Sequence, residues 1–173
     1  MFSARSTLGA FVSLALLLPP AAQAAPPARM TISSFEQLAR PLPRPYDEAA
    51  DADAQVAAAR ARARKGRKLL LIDLGGNWCL DCRILAGVMA TPPLAGWLNE
   101  RFEIVTVDVG RFDKNQQVQR GFGIKDRLPG VPALFIVNPR SGKLVNAGHV
   151  TALADARSLT PQALADWFAN WVR

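Results

Sequence analysis

Continuous apolar runs and helically spaced apolar stripes follow one another along this chain. Lys68 to Leu74 (KLLLIDL) is an apolar run of the kind a strand shows when both of its faces are buried. Phe102 to Asp108 (FEIVTVD) reads as a second strand and Ala133 to Val137 (ALFIV) as a third. The third turns through Asn138-Pro139-Arg140-Ser141-Gly142 into a fourth strand over Lys143 to Asn146. Helices fill the intervals. Tyr46 to Lys65 is alanine-rich with acids early and arginines late, and Gly66 stops it. Gly75-Gly76-Asn77 breaks the first strand, and a helix then runs to about Met89, where Pro92-Pro93 ends it. A short helix over Leu94 to Glu100 and another over Asn115 to Phe122 follow, and glycines and prolines make the next stretch a loop. In the last helix Thr160 caps, Pro161 takes the first position, and Leu164, Trp167, Phe168, Trp171 and Val172 form one apolar stripe, read as core. This order predicts an α/β domain: a central mixed sheet of about four or five strands with helices on both faces, plus an extra N-terminal helix over 46–66. No internal repeat is evident.

The N-terminus changes the picture. Arg5, the apolar stretch Gly9 to Leu18 and the small residues Ala22-Gln23-Ala24 read as a cleaved export signal over residues 1–24. The apolar stretch is short for a membrane span and ends at Pro19-Pro20, so no stable span is expected. Residues 25–45, with five prolines between Pro26 and Pro45, read as an irregular, exposed lead-in to a domain over 46–173. The formal net charge of +7 raises the question of nucleic acid. The positive residues are dispersed except for Arg60, Arg62, Arg64, Lys65, Arg67 and Lys68, at a predicted helix C-terminus where cations favour the dipole. With export to a bacterial periplasm, these positions describe a solvated basic face rather than a nucleic-acid site.

The chemistry is concentrated at Cys79-Leu80-Asp81-Cys82, which holds both cysteines of the chain. Alone, the spacing fits a structural staple, half a metal site or a redox couple. The ring such a disulfide closes is too small to stabilise much, which favours redox work. Zinc wants four ligands, and the chain adds only His149 to the two sulfurs; copper handling through the cysteines alone is the other metal-based reading. At a strand-to-helix junction the helix dipole and free N–H groups favour a thiolate at Cys79, and Cys82, one turn on, can attack a mixed disulfide formed there. Exchange of this kind needs no cofactor beyond the Cys79–Cys82 pair. A histidine between the cysteines would favour an oxidant. Asp81 instead places negative charge near the thiolate, and Leu80 and Asp81 are the residues expected to tune the potential, toward reduction.

Asp73-Leu74-Gly75-Gly76-Asn77-Trp78-Cys79-Leu80-Asp81-Cys82 resembles the D-F-x-A-x-W-C-x-x-C segment of thioredoxins, and Gly130-Val131-Pro132 resembles the family's Gly-Ile/Val-Pro segment. Within that superfamily, Thr91-Pro92-Pro93, Asn99 to Phe102 and Val107-Asp108-Val109 are similar to the C-terminal periplasmic domain of DsbD-type interchange proteins. The likeness covers roughly Lys68 to Gly148. It implies a thioredoxin fold, a buried Asp73 assisting proton transfer at Cys82, and a cis proline at Pro132. It also implies that the Val131 backbone and Trp78 meet the substrate. The implied partners are protein thiols and disulfides, with a membrane disulfide reductase as electron source; the alternative is a binding module of this fold without turnover. The chain departs from the pattern at Asp81, at Gly75-Gly76 and in having no lysine within 102–108.

Overall fold

The computed structural model describes residues 26–172; the export signal expected over 1–24 lies outside them. Among the described residues no helix is long and apolar enough to cross a membrane. The sheet has three strands, β1 (Leu69–Gly75), β2 (Phe102–Asp108) and β3 (Ala133–Val137), in the order β2-β1-β3. β1 runs parallel to β2, with Asp73 opposite Thr106, and antiparallel to β3, with Asp73 opposite Leu134. Among the described residues five α-helices surround it: α1 (Ala52–Gly66), α2 (Leu80–Met89), α3 (Pro92–Arg101), α4 (Gln116–Arg120) and α5 (Pro161–Ala169).

The period-2 alternation of β1 sorts the two cores. Leu70, Ile72 and Leu74 pack with Ala59 and Ala63 of α1 and Val118 of α4. Leu71 packs on the other face with Leu85 of α2, Leu94 and Leu98 of α3, and Leu164 and Phe168 of α5. Helices thus cover both faces, as the sequence pattern requires, and the terminal stripe is core at Leu164 and Phe168.

Three expectations are corrected. The fourth strand over Lys143 to Asn146 reduces to a single bridge between Val137 and Leu144. The Asn146 side chain supplants the ladder beyond it, accepting from Ile136 N–H at 2.9 Å and donating to the Leu134 carbonyl at 2.8 Å. A buried side chain that satisfies both main-chain groups leaves no ladder position for a further strand residue. The first helix begins at Ala52, not Tyr46, because the Asp51 carboxylate caps it by accepting from Ala54 N–H at 3.0 Å. The lead-in is exposed only in part: Ala28, Leu38 and Leu42 are buried, and Leu38 and Leu42 pack against α2. Gly87 makes room for them, since a Cβ there would stand 3.3 Å from Leu38. Arg83 of α2 holds the same strap, donating to the Pro43 carbonyl at 3.1 Å and to the Leu42 carbonyl at 3.0 Å.

Candidate active site

β1 ends at Gly75, and the turn Gly76-Asn77-Trp78 delivers Cys79 to the N-cap of α2. Cys79 and Cys82 are joined as a disulfide with Cα atoms 5.3 Å apart. The Cys82 N–H donates to Cys79 Sγ at 3.1 Å, so the first sulfur occupies the acceptor position of a helix cap. In the reduced state that N–H and the helix dipole favour negative charge on Cys79. Cys79 is 5% exposed and Cys82 is fully buried, so an incoming group meets Cys79 first.

A groove of about 340 Å³ leads to the pair, between Trp78 and Phe112 on one side and Val131, Ala154 and Arg157 on the other. The Val131–Pro132 bond is cis, and the Val131 carbonyl oxygen lies 3.4 Å from Cys79 Sγ. Trp78 is half-exposed; its indole N–H donates to the Gly110 carbonyl at 2.6 Å, and Arg111 stacks on its ring at 4.5 Å. Leu80 is exposed at the rim.

Asp81 is buried, and one of its oxygens accepts from both the Arg157 backbone N–H and the Arg157 guanidinium, each at 3.0 Å. Its charge therefore reaches the cysteines already balanced by a cation, which weakens the reductive argument drawn from Asp81 alone. Nothing in the spacing of Arg157, 76 residues downstream, announces that role.

Asp73 is buried in the middle strand. Burial pushes its carboxyl up from 3.8 to about 7, and a hydrogen bond from the Tyr46 hydroxyl at 3.0 Å opposes the rise. Gly75 is required where the groups converge, because a Cβ there would strike the Tyr46 hydroxyl and stand 2.9 Å from Cys82 Sγ. Gly75→Ala is expected to lower stability by about 1–3 kcal/mol through overpacking, read as a drop in the urea midpoint of the oxidised protein.

Besides Arg157, sequence reasoning missed Tyr46 and Asn77. Asn77 clamps the Tyr46 backbone from both sides, accepting its N–H at 3.2 Å and donating to its carbonyl at 2.7 Å. The available signal was weak: the one tyrosine of the chain, directly after a proline-spaced extended segment. His149 is exposed and stacks on Trp171, and among the described residues no three metal-ligating side chains converge.

A sequence family described as thioredoxin-like matches residues 51–139. A crystal structure of a disulphide isomerase from Xylella fastidiosa Temecula1 is 37% identical, superposes with a TM-score of 0.67, and is covered over 97% of its length by 75% of this chain. The oxidised C-terminal domain of DsbD from Neisseria meningitidis is 23% identical with a TM-score of 0.41, over 54% of this chain and 78% of that one. No curated protein sequence matches.

Proposed function

This chain belongs to the thioredoxin-like family, and we propose that it is an exported thiol–disulfide oxidoreductase that reduces disulfides of periplasmic proteins through Cys79 and Cys82. The observation that carries the reading is the asymmetry of the pair. Cys79 is the helix-capping sulfur at the floor of an open groove, and Cys82 is sealed behind it. Cys79 attacks a substrate disulfide; the Cys79–substrate bond forms and one substrate thiolate leaves. Cys82 then loses its proton to Asp73 and attacks Cys79, closing the pair and releasing the second substrate thiolate with the electron pair.

The groove accepts an extended segment with Trp78 as one wall and the Val131 backbone beside Cys79, a main-chain recognition mode that reads little side-chain identity. Leu80 at the rim and the buried Asp81, paired with Arg157, tune the potential. A dithiol donor at the membrane regenerates the reduced pair, and no cofactor takes part.

The expected result is dithiothreitol-driven reduction of insulin above the uncatalysed rate. Equilibration with glutathione should return a potential nearer about −270 mV than the roughly −120 mV of strong periplasmic oxidants. A value at the oxidising end would reverse the proposed direction. The neighbouring Xylella protein is called a disulphide isomerase, and isomerisation is the second reading. It needs Cys79 to attack and depart without Cys82 closing the pair.

A further inference from the structure

We propose that Tyr46 is a positioning residue of the exchange reaction, holding the Asp73 carboxylate oriented and ionised so that it can take the proton of Cys82. The proposal rests on the reading of Asp73 as the proton acceptor. Residues 73 and 75 point to the same face of β1, because strand side chains alternate. The Tyr46 hydroxyl reaches across both: it donates to Asp73 and presses on Gly75, where Cys82 Sγ also lies. Tyrosine, carboxyl and resolving sulfur thus share one buried corner.

The corner is built with care for Tyr46. Asn77, in the turn that carries Cys79, holds the Tyr46 backbone by two hydrogen bonds. Thr106, opposite Asp73 in β2, donates to the Pro45 carbonyl at 2.8 Å. Burial and the neighbouring Asp73 and Asp108 hold the phenol pKa well above 10.0, so Tyr46 stays neutral and remains a donor. A crevice of about 300 Å³ between Pro45, Met89, Leu98 and Thr106 reaches Asp73 and gives its proton an exit to water.

In the resolving step the Cys82 S–H bond breaks and its proton passes to Asp73. The sulfur lone pair then attacks Cys79, the Cys79–Cys82 bond forms, and the bond from Cys79 to the substrate sulfur breaks with its electrons on the leaving thiolate. The substrate disulfide gains two electrons and the cysteine pair loses them. Without the Tyr46 hydroxyl, desolvation acts on Asp73 with nothing to oppose it, and the carboxyl stays protonated over more of the neutral range. Cys82 then has to ionise unaided, which its own thiol chemistry allows only above roughly pH 8.5.

The test uses the purified, reduced protein and an aromatic nitrobenzoate disulfide that releases one coloured thiolate as Cys79 reacts and a second as Cys82 closes the pair. Tyr46→Phe is expected to slow the second release by about tenfold at neutral pH, moving the midpoint of its pH profile upward by about one unit, with the rates converging above roughly pH 9. A profile with the wild-type midpoint, or a rate lowered equally at every pH, overturns the proposal. Because Tyr46 is the single tyrosine, biosynthetic replacement by a fluorinated, more acidic tyrosine tests the opposite sign without removing the side chain. A stronger donor should move the midpoint down, and no movement counts against Tyr46 even if the phenylalanine variant does not fold. A wild-type protein that gives no second release at all would instead overturn the oxidoreductase reading, together with everything built on it.

Discussion

Cys82→Ser is expected to abolish catalytic disulfide reduction and to leave Cys79 joined to its substrate. The reason is positional. Cys82 is fully buried one helical turn from Cys79, so its attack on a mixed disulfide is intramolecular and pre-aligned. Oriented intramolecular reactions reach effective molarities of roughly 10⁵ M and above, which no millimolar external thiol matches. Turnover in the insulin assay should therefore fall by about a thousandfold or more. Serine keeps the shape of the site and the cap of α2, so the loss reads out chemistry rather than folding. Mass spectrometry of the variant after incubation with a periplasmic extract should find substrate covalently held at Cys79. Undiminished reductase activity would remove Cys82 from the mechanism. The same variant separates reduction from isomerisation: reactivation of a scrambled disulfide protein that survives Cys82→Ser would mean that Cys79 alone does the work.

The strands and the helix carrying the cysteines were legible because their signals are local. A run as short as Leu69 to Leu74, closed by a glycine turn, fits a central strand better than a helix, and the turn leaves little choice about where α2 begins. Cys79 and Cys82 needed no structure to be found. What the sequence hides are contacts between distant segments. Arg157 neutralises Asp81 from beyond the sheet, and Asn146 replaces a strand with a side chain. Tyr46, assigned from composition to a helix, is drawn out of it into a strap whose bonds to Asn77 and Asp73 span 31 and 27 residues. Alanine-rich periodicity says where a helix can form, but the helix starts where Asp51 caps it. No window of sequence weighs a cap against a buried phenol.

Asp73→Asn is expected to raise the stability of the oxidised protein at alkaline pH while slowing the resolving step at neutral pH. The carboxyl titrates at about 7 in the folded protein, against 3.8 when free of its surroundings. Below 3.8 both states hold the proton and Asp73 contributes no pH dependence. Between that value and about 7 the unfolded chain releases the proton and the folded one keeps it, so stability falls as pH rises. Above about 7 the full cost is in place, of order 4 kcal/mol at about 1.4 kcal/mol per unit. Asparagine does not ionise, so this slope disappears. Its amide N–H groups meet an apolar crevice and cost about 1–3 kcal/mol at every pH. The two effects leave the variant roughly 1–3 kcal/mol more stable near pH 8.5 and less stable than wild type near pH 4. Urea unfolding of both proteins at the two pH values measures this directly, since groups unaffected by the substitution cancel in the comparison. Parallel pH profiles would mean that Asp73 does not titrate as its burial requires. A variant that is steadier yet slower would identify Asp73 as a residue kept at a cost to the fold, with the proton it takes from Cys82 as the reason.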